Sequence, residues 1–444
     1  VVSYQSVSKK CSVIGSTCVA ALMMFGCASS ATTTNAAKAT PPAPQTQATT
    51  VPSTAAAPTA DSVTIDPADF RRWLDGVRSD ALAQGISART LDRALPGIQP
   101  QPRVLELDRR QPEFTQTFGS YLQKTVSARR IADGKAMLAK HQALLGPIEA
   151  QYGVQARFLL AFWGLETNYG SNFGGFPVLG SLATLAYDQR RPAFFRRELM
   201  AALAIVDAGD IPADKMVGSW AGAMGNLQFM PSTFRAHAVD RDGDGRRDIW
   251  GSLPDTFASA AKYLSDEGWK RGQGWGREVI LPTGFSYEQA DLSIRKPVSE
   301  WLAQGVRPAS ASALPASEGG VQASIIVPAG ARGPAFMVYD NFRVIMVWNK
   351  SILYALGVSY LADQMVGGAG LVVQPPADDV PLRRSDITEM QTLLARLGYD
   401  PGPADGMAGG QTRSALKAFQ TRQGLIADAY PSQEVLSRLR SVAQ

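Results

Sequence analysis

Cysteine is nearly missing from this sequence, and its few positions exclude most of its chemistry. The 444 residues contain three, Cys11, Cys18 and Cys27. A mature chain that starts at Cys27 or later therefore has no disulfide and at most one thiol, and its fold rests on a hydrophobic core. Histidine is as scarce, with only His141 and His237, which argues against a zinc site. Beyond the first 27 residues no apolar run reaches the roughly 20 residues that a spanning helix needs. Neither sign of charge dominates. Lys and Arg number 44 against 39 Asp and Glu, a formal charge of +5. No dense basic stripe is present, so the charge makes no case for a nucleic-acid partner.

What is present falls into segments. Residues 1–27 have the form of an export leader. Lys9 and Lys10 make a positive start, the stretch from Cys11 to Phe25 is apolar or small, and Gly26-Cys27 closes it. Met24-Phe25-Gly26-Cys27 resembles a bacterial lipobox, which predicts lipidation of Cys27 and anchoring to the outer membrane on the periplasmic side in a Gram-negative cell. Ordinary cleavage among Ala28 to Ala31 is the alternative. Residues 28–62 are almost all Ala, Thr, Pro, Ser and Gln, too poor in large apolar groups to offset chain entropy, so a disordered tether is expected.

Residues 63–366 carry the main body. Helical periodicity runs from Asp66 past Leu145. Val279-Ile280-Leu281, Ser324-Ile325-Ile326-Val327 and Arg343-Val344-Ile345-Met346-Val347 read as short strands among Gly, Pro and Ser. A linker is expected at 367–382, with Gly-Gly and Pro-Pro. Residues 383–444 read as three short helices, marked by Ile387, Met390, Leu394 and Leu397, by Ala415, Leu416 and Phe419 ahead of Gly424, and by Val435, Leu436 and Leu439. The fold class is mainly α (α+β): a helical domain with a small β-containing insertion, then a three-helix C-terminal domain.

One segment carries chemistry. In Phe158-Leu-Leu-Ala-Phe162-Trp-Gly-Leu-Glu166-Thr-Asn-Tyr-Gly170, Phe158, Phe162 and Glu166 are four apart and share a helix face. A carboxylate thus continues an apolar stripe near a helix end for which Gly170 is the expected cap. Burial and the negative end of the helix dipole both disfavour its ionised form. A carboxyl protonated near neutral pH is what a general acid for glycosidic cleavage requires.

Gly164-Leu-Glu-Thr-Asn-Tyr-Gly170 resembles the catalytic-glutamate motif of the membrane-bound lytic transglycosylase B family. Gly218-Ser-Trp-Ala-Gly-Ala-Met-Gly-Asn-Leu-Gln-Phe-Met-Pro-Ser-Thr-Phe234 resembles the family's long second motif, and the similarity extends over roughly 64–366. The resemblance implies a lysozyme-like helical domain whose groove holds peptidoglycan, with Glu166 as the one catalytic acid. It places Tyr121, Phe162, Phe195, Ser219, Gln228, Phe229, Tyr263, Trp348, Asn349 and Tyr354 on groove positions. Aromatic faces stack on sugars, while Ser, Gln and Asn bond hydroxyl and acetamido groups. Gly222 and Gly225 are expected to let backbone approach the glycan. Phe195 and Trp348 stand where the family often has Tyr, and Phe162 where an aliphatic side chain is also common; these departures bear on sugar choice. The implied reaction is a lytic transglycosylation, with Glu166 as acid and then base. A muramidase-type hydrolase, needing a second carboxylate such as Asp188 or Asp214, and a non-catalytic wall-binding protein are the alternatives. The implied partners are glycan strands, the membrane lipid that a Cys27 anchor would enter and the cell-wall synthesis machinery.

Asp240-Arg-Asp242-Gly-Asp244-Gly245 reads as the front half of an EF-hand loop, with oxygen ligands at alternate positions and Gly at the sixth. The twelfth position is Gly251, not Glu. By resemblance to the family's longer loop, a structural Ca²⁺ is expected on Asp240, Asp242, Asp244, the Arg246 carbonyl and Asp255; an Asp/Gly turn without metal is the alternative. No cofactor is expected for the chemistry. Leu397-Gly-Tyr399, Asp405-Gly406 and Thr412, then Phe419-Gln420, resemble the small peptidoglycan-binding domain, with Asp428-Ala429 where that family usually has Asp-Gly.

Overall fold

The computed structural model describes residues 65–109, 115–310 and 318–444. The leader, Cys27 and the tether lie outside the described residues.

The helical body is built by amphipathic stripes with capped ends. Its first helix, Pro67–Ala83, shows how. Asp66 accepts hydrogen bonds from the amides of Ala68 and Asp69, Pro67 opens the first turn, and Phe70, Leu74, Val77 and Ala81 form the buried stripe. At the centre lies Ala156–Thr167, buried along nearly its whole length. Ile352–Met365, Ala128–Lys140 and Gln142–Tyr152 pack around it. Val178–Tyr187, buried from Val178 to Ala186, packs on Pro192–Asp207. These elements share one core.

The β-containing insertion is a five-stranded antiparallel sheet with spatial order Lys296–Pro297, Gln322–Ile326, Ala335–Val338, Gly276–Ile280, Arg307–Pro308. Its two central strands are buried on both faces, and the pleat sorts them. Ala323, Ile325, Ala335 and Met337 enter the insertion's own core around Trp301. Ile326, Phe336 and Val338 enter the core of the helical body. The sheet is therefore welded to the helices.

The expected strands at 279–281 and 324–327 fall on this sheet. The third, 343–347, does not: it lies within the helix Asp340–Trp348. A short apolar run has no period of its own, and here tertiary contacts decide. Asn341, fully buried, accepts from the Lys270 amide at 2.7 Å and donates to the carbonyls of Lys270 and Gln273 at 3.0 and 2.8 Å. That fixes the helix start, and Phe342 and Ile345 follow on its inner face.

The C-terminal helices Arg384–Arg396, Gly410–Arg422 and Gln433–Val442 enclose a separate core joined by Leu382. Segment 367–382 lies against the insertion: Glu278 accepts from the amides of Val372 and Val373 at 2.8 and 2.7 Å, and Arg332 pairs with Asp378. Thr412 sits in the third position of Gly410–Arg422, and its hydroxyl donates to the Pro401 carbonyl. The Asp405-Gly406 turn recurs at Asp428-Ala429. Gln391 accepts from the Gly406 amide and Gln420 from the Ala429 amide, each at 2.9 Å.

Candidate active site

Glu166 sits in the last turn of Ala156–Thr167, half-buried at the end of the buried stripe that runs through Phe158 and Phe162. The helix stops one residue later. Asn168, Tyr169 and Gly170 all have left-handed backbone, with φ of 49°, 57° and 78°. The expected Gly170 cap is thus replaced by Asn168 at the cap itself, since Asn tolerates this conformation best after Gly. For Tyr169 the conformation is strained. It is held by a hydrogen bond from the phenol to the Arg130 carbonyl at 2.7 Å and by a ring seated where a side chain at Gly164 would lie.

Burial pushes the Glu166 carboxyl up to about 7, and hydrogen bonds from Tyr354 and Trp348 pull the other way. The Tyr354 hydroxyl donates to Oε1. Both donors are neutral and favour the carboxylate, yet desolvation wins. No second carboxyl ranks among the groups that act on it. Asp188 is taken by Arg109 at 2.9 Å, and Asp214 is exposed. The phenol of Tyr121, packed over Gly357, is raised by burial first and by the Glu166 charge second.

The aromatic candidates converge. Phe162 stacks on Trp348 at 4.3 Å between centroids and lies 6.3 Å from Tyr354. Trp348 meets Phe229 and Tyr263, each at 5.2 Å. Phe229 meets Tyr263 edge-on at 5.7 Å. Phe195 stands apart from these contacts: it packs on Phe194 under the Arg191 guanidinium.

The polar candidates shape turns. The Ser219 hydroxyl accepts from the Ala223 amide at 3.0 Å, and Asn349 Oδ1 accepts from the Ser351 amide at 3.0 Å. Gln228, with φ of 51°, donates to the carbonyls of Phe173 and Gly225 at 3.2 and 3.0 Å. Gly222 and Gly225 are also required by the interior. A Cβ would strike Leu182 at the first and Ile249 at the second.

Asn226 was not singled out by sequence, yet it joins the two motifs. Its Oδ1 accepts from the Trp163 indole at 2.8 Å, and its amide group donates to the carbonyls of Ile249 and Trp250 at 3.0 Å each. Its carbonyl accepts from the Thr167 hydroxyl at 2.8 Å. A single Asn among glycines carries no periodic signal; its place inside the second motif is the only hint.

In the acidic loop, carboxylate oxygens of Asp240, Asp242 and Asp244 lie within 4.8 Å of one another, all exposed. Asp255 is not brought into that cluster. It is buried and accepts from the amides of Arg241 and Asp248 at 2.7 and 2.8 Å. The Arg246 side chain pairs with Asp244 at 2.9 Å.

Residues 69–363 match the Transglycosylase SLT domain. The chain belongs to that family. Residues 383–439 match a peptidoglycan binding domain. Membrane-bound lytic murein transglycosylase B of Escherichia coli (strain K12) is 30% identical over 246 residues, 54% of this chain and 64% of that protein, so the alignment spans just under two thirds of its length. Among solved structures, SltB3 from Pseudomonas aeruginosa in complex with NAG-anhNAM-pentapeptide superposes with a TM-score of 0.81 at 51% identity, over 84% of this chain and 99% of that one. The Escherichia coli lytic transglycosylase SLT35 in complex with calcium gives 0.56 at 26% identity, over 68% and 93%. The mainly helical, lysozyme-like class with a small sheet holds for this family member.

Proposed function

We propose that this protein is a lytic transglycosylase that cleaves the β-1,4 bond between N-acetylmuramic acid and N-acetylglucosamine of peptidoglycan, leaving 1,6-anhydro-muramyl ends. The observation that carries it is Glu166: a half-buried, desolvated carboxyl pushed up to about 7, bonded by neutral donors, with no second acid among the groups that shift it. As an acid it protonates the glycosidic oxygen, and the C1–O bond breaks. The muramyl acetamido group stabilises the positive charge at C1. Glu166, now a carboxylate, is favoured by the bonds from Tyr354 and Trp348, and takes the proton of the same sugar's C6 hydroxyl. That oxygen then bonds to C1, the acid is regenerated and no water is consumed. A hydrolase would need a second carboxylate as base or nucleophile. The groove residues in this reading are Tyr121, Tyr263, Trp348 and Tyr354, backed by the buried rings of Phe162 and Phe229, with Ser219, Gln228 and Asn349 shaping the backbone; Phe195 supports the fold.

The same reading gives the acidic loop a structural Ca²⁺. Three hard oxygen donors gathered within 4.8 Å suit that ion. Asp240, Asp242 and Asp244 would hold it, with the Arg246 carbonyl, while Asp255 organises the loop's amides. The ion supplies charge balance and no step of the reaction. The C-terminal module holds the enzyme to the wall, and a lipid on Cys27 would keep it at the periplasmic face of the outer membrane, within reach of the cell-wall synthesis machinery.

Mass spectrometry of products from purified sacculi tests the reaction, with wild type and Glu166→Gln side by side. The expected result is anhydro-muramyl ends from wild type alone. Reducing ends would make it a hydrolase, and no products from a folded wild type would leave a binding protein.

A further inference from the structure

His237 plays no part in the reaction above, yet its ring is built into the site. It ends the helix Pro231–His237, directly after the second motif. Its imidazole lies 4.5 Å from the Tyr263 ring, inclined by 29°. Tyr263 also meets Trp348, at 5.2 Å and 34°, with Phe229 edge-on. Tyr263 is thus held among three rings, with His237 stacked on one face. An imidazole turns about its last bond with little cost. Here its plane is set by Asp266, whose Oδ2 lies 2.8 Å from Nδ1, and Lys262 bonds that same oxygen at 2.5 Å. Asp266 and Lys262 are on the helix that carries Tyr263 itself, Leu253–Asp266. One helix therefore holds both the Tyr263 ring and the clamp that presses on it.

We infer that His237, anchored by Asp266, is a positioning residue that fixes the buried Tyr263 ring so that its phenol edge, not a ring face, meets a sugar of the glycan strand. This rests on the reading of Tyr263 as a sugar contact. The ring supplies the stack and the carboxylate supplies its orientation, which separates two variants. His237→Phe keeps the stack and loses the bond to Asp266. His237→Gln keeps a donor and loses the ring.

Initial rates on glycan strands released from sacculi, at several chain concentrations, test it. His237→Ala and His237→Gln are expected to raise KM about three- to ten-fold, the range of an aromatic pair, with kcat within about two-fold. His237→Phe should restore most of the loss. Near-UV circular dichroism should report a loosened Tyr–Trp stack in the Ala and Gln variants at unchanged far-UV signal. Tyr263→Ala is measured in parallel. A raised KM in Tyr263→Ala without one in His237→Ala overturns the positioning role alone. An unchanged KM in Tyr263→Ala overturns the sugar-contact reading, and the inference falls with it. A fall in kcat and stability with no rescue by Phe assigns His237 to the fold and also overturns the inference.

Discussion

The helix of Glu166 and the segment Ile249-Trp250 that follows the acidic loop at 240–248 are joined through one buried asparagine, yet the carboxylates of the two regions are held in opposite settings. Glu166 stands among Phe162, Trp348 and Tyr354, pushed up to about 7 by burial. Asp240, Asp242 and Asp244 crowd together in the open, where water, backbone amides and Arg246 serve them; the Arg246 pair holds Asp244 below the usual carboxylate range. Like charges at such spacing would be costly in the interior and are tolerated here by screening. The same functional group thus serves two ends: without solvent it becomes a proton donor, and with solvent and neighbours it becomes a cation ligand.

Glu166→Gln attacks the first setting and has the largest expected effect. Loss of the only acid should lower kcat/KM by about 10²- to 10⁴-fold, measured as anhydro-muramyl product released per folded molecule. The variant should also be more stable than wild type at pH 8. The ordinary carboxyl value is 4.5 and the folded one about 7, so the folded state binds this proton more tightly than the unfolded one. Wild type therefore loses stability as pH rises between those values, by up to about 3 kcal/mol, and glutamine has nothing to lose. Thermal unfolding at pH 4 and pH 8 checks the sign. A Gln variant less stable at pH 8 would mean that Glu166 is a paired surface-type carboxylate.

Asn226→Ala cuts the joint between the two regions. It leaves the Trp163 indole and the carbonyls of Ile249 and Trp250 without their partner, at about 2–4 kcal/mol. The thermal midpoint should fall by roughly 5–10 °C. Turnover should fall as well, because Trp163, three residues before Glu166 on the same helix, loses the side chain that holds its indole. Normal stability would show that the regions are independent.

The difference between the two settings was partly legible before any coordinates. Apolar residues four apart put Glu166 on an inner face, and alternating Asp with Gly put the loop outside. Asn226 was not legible, because its side chain bonds residues 63, 23 and 24 positions away, and no local pattern records such distances. The segment 343–347 was misread for the same reason: its helix is pinned by Asn341 to Lys270, 71 positions off. Asp255 was expected in the loop by resemblance and not by spacing; its bonds to the amides of Arg241 and Asp248 carry no local signal. Gly222 and Gly225 were legible as close approaches; what approaches them is Leu182 and Ile249, which no sequence spacing names.

Calcium addresses the second setting alone. Saturating Ca²⁺ should raise the thermal midpoint over a chelated sample by about 2–6 °C, in line with an ion bound only by the folded state. Asp242→Asn should remove that rise. Product formation per folded molecule should stay the same with and without the ion. A calcium-dependent kcat would break the division of labour, since the loop would then act on the chemistry.

The smallest effect sharpens the comparison most. Tyr354→Phe keeps the ring and removes the hydroxyl that donates to Glu166. That bond favours the carboxylate, so without it the acid form persists to higher pH. The alkaline limb of the rate profile should move up by about half to one pH unit, the worth of one hydrogen bond. Ser252→Ala makes the matching change in the acidic loop, where the hydroxyl donates to Asp242 at 2.6 Å, and should leave the limb where it is. One lost donor alters the reaction only where burial has already made the charge costly. A downward shift in Tyr354→Phe would mean that the phenol accepts from a protonated Glu166, and that the acid is readied by a bond to its neutral form rather than by desolvation.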